Sequence, residues 1–476
     1  MPPRLSESGE LDGRTAAALA VADALTGRQF AAEALREMRA AGRLAGREAG
    51  LALEVAQGAM RHLITIEHVL TSVARFPQVP AKLSHAVPPA VRAVLTTAAY
   101  QVIWMDRVPP FAAVDQAVEV ARRLAQPRAA GMVNAVLRRL SGAIAQRRAA
   151  WERLSAAQVR VGWDQACQFD RTVLPVAGER AGGAAHLSAA TGERPRRYRD
   201  LVARYGPERA EAVAWASQAL PAIVLQRHVL RVTQEQFARN LRDALGQAVE
   251  FANDAAFVPL ATDAVNAPAF QQGLTYIQDT TAHAAALAVQ AQPGERVLDL
   301  CAAPGGKSAA LALQMRDQGE VVACDTAPER LLRVRDNATR LGLTCVRTRV
   351  LPADDPNLPD DAPPFDAALV DVPCSNTGVI ARRPEARLGL TARKLRSLAT
   401  AQAELLWRAA RHVRPGGRLV YSTCSLDPEE YERIVAAFLD ENAEWRRDAE
   451  QTTLPAWGPR LADWRDGGYW ARLGRE

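Results

Sequence analysis

The stretch VLDLCAAPGGKS, residues 297–308, reads as a buried strand that runs into a glycine-bearing turn and then into a helix. In open α/β sheets the ligand sits at the carboxyl ends of the strands, and the first strand-to-helix turn commonly cradles it. Gly305 and Gly306 let the backbone approach a ligand closely, and Pro304 stiffens the turn. The GKS at 306–308 is one residue away from a phosphate-binding loop, whose first glycine would fall where this chain has Cys301. The G-x-G-x-x-G dinucleotide pattern is also absent. A turn with a purely structural purpose is the remaining alternative.

From Gly294 onward the chain alternates strand and helix in the order expected of an α/β, Rossmann-like, doubly wound parallel sheet. The expected strands are ERVLDL, EVVACD, TCVRTRV, FDAALVD and GRLVYST, with helical segments such as SAALALQM and PERLLRVRDNATRLG between them. Asp325 ends the second strand and Asp371 the fourth; Asp354, with neighbouring Asp355 as its alternative, falls in the loop after the third. One acid at a strand end could be a helix N-cap. Several on one rim are better explained by a ligand whose ribose hydroxyls they accept from. Without a phosphate fingerprint, an adenosine ligand that carries no phosphate is favoured, and S-adenosylmethionine fits.

Two further segments, DVPCSNTG at 371–378 and YSTCSLDPEE at 421–430, each put a cysteine just beyond a strand end. Cytosine C5 is a poor nucleophile. Adding a thiolate at C6 turns C5 into an enamine carbon able to take a methyl group, after which loss of the C5 proton frees the thiolate. Two cysteines, Cys374 and Cys424, beside a methyl donor fit such a cycle. A helix is expected after Cys424, with Asp427 as N-cap, Pro428 at its first position and Glu430 completing a capping-box pattern. A helix N-terminus lowers a thiol pKa while nearby acids raise it, so the sequence leaves the shift open. Cysteine is also a favoured buried residue, which makes ordinary packing the competing explanation.

At 476 residues, with 48% hydrophobic and 24% charged residues, the chain suits a protein of two or three domains. Arg or Asp interrupts every apolar run before it reaches membrane-span length, and no secretion signal is read at the N-terminus. The six cysteines show no C-x-x-C pair and no zinc-ligand spacing, so neither a metal nor a disulfide framework is expected, and a reducing cytoplasm is. The net charge of +6 comes mostly from Arg, which suits contact with phosphates. Three regions are expected: a helical bundle over 1–145, linker helices with a small α/β subdomain over 146–292, and the cofactor domain over 293–476. The first shows Ala, Leu and Val at three- and four-residue spacing and predicts six or seven helices. In the second, residues 143–215 read as connecting helices with exposed loops, and β-like runs such as AIVLQRHV and LTYIQD begin after Pro221.

CAAPGGKS, DVPCSNTG and YSTCS resemble the motifs of the bacterial and nucleolar RNA cytosine-5 methyltransferases. In the N-terminal half, YQVIWMDRVPPFAAVDQAVEVAR and MVNAVLRRL resemble the NusB-type antitermination-factor domain, a combination similar to the small-subunit ribosomal RNA enzymes of that family. The resemblance implies methylation of C5 of a cytosine in small-subunit (16S) ribosomal RNA by a monomeric cytoplasmic enzyme. It assigns Cys424 as the nucleophile on C6 and Cys374 to release of the product. Cys301, Ala302, Ala303, Pro304, Gly305, Gly306 and Lys307, with Asp325, Asp354 and Asp371, would bind S-adenosylmethionine, and Asp371 would also lie near the cytosine ring. Arg330 matches a family position of unsettled role, and Asp279 matches the strand leading into the cofactor domain. The chain departs from the family at TTAH (280–283), at PAIVLQRHVLRV and at Arg387-Leu388, which bears on the choice of nucleotide more than on the chemistry. Residues 381–415 hold nine Lys or Arg against two acids and read as an RNA track or as a solvated helix face. The same chemistry on transfer RNA, a non-catalytic RNA-binding assembly factor, and a DNA substrate are the alternatives.

Overall fold

The computed structural model describes residues 9–74, 87–124, 127–178, 183–351 and 364–476. Asp354 and Asp355 lie outside these residues. The chain forms two compact units, Met1–Ala219 with Arg387–Gly389, and Leu220–Ala386 with Leu390–Glu476. Among the described residues no helix is long and apolar enough to cross a membrane.

The first unit opens with seven described helices: α1 (Gly13–Leu25), α2 (Ala31–Ala40), α3 (Gly46–Arg61), α4 (Leu63–Ala74), α5 (Pro89–Trp104), α6 (Pro110–Leu124) and α7 (Pro127–Ala143). Asp12 caps α1 through the Thr15 N–H, satisfying a donor that has no partner within the helix. Pro89 starts α5 where a missing N–H costs nothing, and Val91, Val94, Leu95, Ala98, Ala99 and Val102 bury nearly all of that helix.

The segment after the bundle is not simply helical. Ile144–Ala150 (β1), Gln158–Arg160 (β2) and Gln165–Phe169 (β3) form an antiparallel sheet in the order β1-β3-β2 before α8 (Ala184–Thr191), α9 (Pro195–Tyr205) and α10 (Pro207–Ala216). The strand β1, IAQRRAA, carries two arginines and no β-branched residue beyond Ile144, so propensity hides it. It is held by pairing with the buried β3.

In the second unit β4 (Ile223–Arg227), β5 (Glu250–Ala252), β6 (Ala255–Val258) and β7 (Thr275–Ile277) form an antiparallel sheet ordered β5-β6-β4-β7. Helix α11 (Gln234–Leu245), started by a capping box between Thr233 and Gln236, packs Phe237 and Leu241 onto that sheet. Helix α12 (Thr280–Leu287) then leads to a seven-stranded sheet of β8 (Arg296–Asp299), β9 (Glu320–Asp325), β10 (Val346–Val350), β11 (Phe365–Asp371), β12 (Val413–Thr423), β13 (Trp445–Thr453) and β14 (Gly468–Arg475), ordered β10-β9-β8-β11-β12-β14-β13. The five expected strands are parallel. The sequence did not single out β13 and β14, and β14 makes the sheet mixed by running antiparallel to β12.

Alternate residues of the central strands enter opposite cores, which explains their unbroken apolar character. Leu298, Ala368, Val370, Leu419 and Tyr421 pack on one face against helices α15 (Ala392–Arg411) and α16 (Glu432–Glu441). Val297, Ala367, Leu369 and Val420 pack on the other against α13 (Gly306–Gln314) and α14 (Pro328–Leu341). Strand order reverses between β8 and β11, and there the carboxyl ends of the strands leave a crevice.

Candidate active site

The parallel register brings the two cysteines together. Asp371 of β11 pairs with Ser422 of β12, and the Val372 N–H donates to the Ser422 carbonyl at 3.0 Å. Continuing each chain a few residues sets Cys374 beside Cys424, with the two Sγ atoms 3.1 Å apart. The loops that carry them are in backbone contact at Gly378, whose N–H donates to the Cys424 carbonyl at 2.8 Å. A Cβ there would fall 2.5 Å from that oxygen, so glycine is required by close approach.

Lys307 and Asp371 form the second element of the site. The Lys307 ammonium donates to Asp371 Oδ2 at 2.6 Å, and the Ser422 hydroxyl donates to Asp371 Oδ1 at 2.7 Å. Burial opposes the charge on Lys307, but the neighbouring carboxylate of Asp371 outweighs it and holds the lysine above its ordinary pKa. Below the turn, Asp299 is fully buried, with Oδ2 accepting from the Ser308 hydroxyl at 2.6 Å and Oδ1 without a partner among the described residues. Burial pushes its pKa up to about 7.

A cavity of about 820 Å³ spans these groups. Cys301 to Lys307, Asp371, Asn376 and Cys424 line it, together with Gln278, Asp279, Arg382 and Asp466. Asp325, Arg330 and Cys374 are not in its wall. The Asp325 carboxylate is buried beneath the turn, accepting from the N–H groups of Ala303 (3.3 Å) and Ala327 (3.2 Å) and from Arg330 (3.3 Å). Arg330 also donates to the Ala303 carbonyl at 3.1 Å, so it holds the turn and its acid together. Asp279 caps α12 through the Thr281 N–H and lies 3.7 Å from Arg382, which also pairs with Asp466 at 2.5 Å.

The capping box expected after Cys424 does not form. Residues Pro428–Glu430 make a single 3-10 turn, Asp427 makes no side-chain cap, and α16 begins at Glu432. The acids instead serve the opposite loop: Asp427 accepts from the Thr377 hydroxyl at 2.7 Å, and Glu430 accepts from the Ser375 N–H at 2.9 Å. With no long helix pointing its N-terminus at Cys424, the thiols are governed by each other. The contact with the Cys424 sulfur, against the cost of burial, holds Cys374 below the ordinary thiol value. The same contact, reinforced by burial, holds Cys424 well above it.

Sequence reading missed Ser422, Asn376 and Gln402. Gln402 left a signal: it is a fully buried polar residue in the apolar stripe of α15 that includes Leu406 and Ala409. Asn376 left only its place in the DVPCSNTG loop; it has φ 62° and sits 3.6 Å from the Cys424 sulfur.

Residues 286–457 match the family model described as 16S rRNA methyltransferase RsmB/F, and residues 12–142 match that of the NusB family. The ribosomal RNA small subunit methyltransferase B of Pseudomonas syringae pv. tomato is 32% identical over 83% of this chain and 79% of its own. The chain belongs to the ribosomal RNA small subunit methyltransferase B family. The crystal structure of PH0851 has the same fold, with a TM-score of 0.71 at 20% identity over 99% of this chain and 100% of that one. NSun6 from Pyrococcus horikoshii, solved with SFG, shares it with a TM-score of 0.51 at 19% identity over 59% of this chain and 97% of its own. The two cysteine loops and the glycine turn of this chain are gathered at one crevice by the strand order.

Proposed function

We propose that this methyltransferase transfers a methyl group from S-adenosylmethionine to C5 of a cytosine in small-subunit ribosomal RNA through a covalent cysteine–C6 adduct. The observation that carries this reading is the 3.1 Å approach of Cys374 to Cys424, which lines the cavity together with the Cys301–Lys307 turn. The cofactor would supply an electrophilic methyl group. The residues present fit it: Gly305 has φ 101°, the Gly305–Gly306 backbone carries no side chain into the cavity, and the turn is braced from below by Asp325 and Arg330.

In the cycle, Cys424 loses its proton to solvent and reacts as the thiolate, which the neighbouring Lys307 cation favours. Cys424 Sγ adds to C6, and C5 gains the nucleophilic character it lacks in the free base. Once C5 is methylated, the Cys374 thiolate takes the C5 proton, the C5–C6 double bond re-forms, and the Sγ–C6 bond breaks to return the Cys424 thiolate. Asp371, oriented by Lys307 and Ser422, is assigned to the ring. The basic stretch after the Cys374 loop divides: Arg382 and Arg414 are committed to Asp466 and Asp366, whereas Arg393, Lys394 and Arg396 are exposed and suited to track phosphates.

The test is a denaturing gel with ribosomal RNA and S-adenosylmethionine. A shifted protein–RNA band is expected for Cys374→Ala and none for Cys424→Ala. The reverse pattern would exchange the two roles, and no band for any variant would remove the covalent route.

A further inference from the structure

We propose that Glu430 is a positioning residue for the cysteine pair: with Gln402, it fixes the backbone on both sides of Cys374 and so sets the approach of Cys374 to Cys424. The inference rests on the reading that these two cysteines work together, and it concerns residues that touch neither substrate nor cofactor.

The geometry is a clamp. The Gln402 side-chain amide donates to the Pro373 carbonyl at 2.8 Å, immediately before Cys374. It donates as well to Glu430 Oε1 at 2.9 Å. Immediately after Cys374, the Ser375 N–H donates to the same Glu430 oxygen at 2.9 Å, while the Ser375 hydroxyl donates to Oε2. Glu430 lies six positions after Cys424, and its own carbonyl accepts from the Tyr421 hydroxyl at 2.6 Å. One carboxylate therefore ties the Cys424 strand end to the peptide units flanking Cys374.

Its cost argues for a purpose. Glu430 and Gln402 are both fully buried, and the donors on the carboxylate are all neutral. A buried charge held by neutral donors carries a large desolvation penalty, and an apolar residue would pack more cheaply. The carboxylate also faces the sulfurs electrostatically. The charged and titratable groups around the pair are Lys307, Asp371, Asp427, Tyr421 and Glu430, and Glu430 makes ionisation of Cys374 harder.

The experiment compares the full-length chain with Glu430→Gln and Glu430→Ala. Cys374 alkylation by iodoacetamide is followed against pH by peptide mass mapping, and RNA methylation is measured in parallel. Glu430→Gln keeps an acceptor for the Ser375 N–H and removes the charge, so the alkylation profile should move to lower pH by about half a unit or more. Its kcat should fall severalfold with KM for RNA unchanged. Glu430→Ala should uncouple the thiols, moving Cys374 toward the ordinary value of about 8.5, and lower kcat at least 100-fold. Unchanged profiles and kcat in both variants overturn the proposal. If Glu430→Ala does not fold, Glu430→Gln decides alone. If the profiles move as expected but the wild-type chain forms no RNA adduct under any condition, the clamp stands and the cytosine-C6 reading falls.

Discussion

The Lys307 ammonium sits 2.6 Å from Asp371 Oδ2, tying the turn after β8 to the end of β11 across the point where strand order reverses. Both side chains are largely withdrawn from solvent, at 15% and 32% exposure, so the pair is screened less than a surface ion pair would be. Lys307→Met leaves Asp371 with Ser422 alone and should cost about 1–3 kcal/mol of stability, read by urea denaturation. It also removes a cation that favours the Cys424 thiolate, so adduct formation in single-turnover experiments should slow at least tenfold.

Gly378→Ala would place a methyl group against the Cys424 carbonyl and 2.7 Å from the Gly467 backbone, neither of which is a flexible side-chain end. Overpacking of this kind costs about 1–3 kcal/mol. The variant should melt several degrees lower, and methylation should fall further than the stability loss explains, because the two cysteine loops are forced apart. Wild-type activity in a folded Gly378→Ala protein would contradict the close approach.

Asp299 gives a pH dependence of definite sign. Its pKa is raised from 3.8 to about 7 in the fold, so between these values the native state holds a proton that the unfolded chain has released. Stability from this group is therefore present at low pH and lost as pH rises from about 4 to about 7. Asp299→Asn should flatten that decline, raising the melting temperature at pH 8 relative to wild type while changing it little at pH 4. A parallel fall in both proteins would show that another group is responsible.

Asp325→Ala removes the acceptor for the Ala303 and Ala327 N–H groups, and with it the support of the turn. Losing a charge-assisted hydrogen bond costs roughly 1.5–3 kcal/mol, or about ten- to a hundredfold in affinity. Calorimetry should register that loss for S-adenosylmethionine with the domain still folded. Unchanged affinity would take Asp325 out of the cofactor's surroundings.

The local chemistry was legible in the chain itself. Turn glycines, strand-end acids and two cysteines after apolar runs announce themselves because backbone freedom and burial act over a few residues, and the helical spacing of the first 142 residues does the same for the bundle. What the sequence could not determine was set by pairing between distant segments. The strand β1 exists because β3 hydrogen-bonds to it, and β14 turns antiparallel because β12 offers it an edge; neither pairing has a local signature. The same holds at the site. Asp427 and Glu430 have the spacing of a helix start, yet a loop 50 residues upstream, folded against them by the β11–β12 register, supplies better donors than a helix terminus would. That register, not the spacing of either motif, sets the two sulfurs in contact and decides which residues the acids serve.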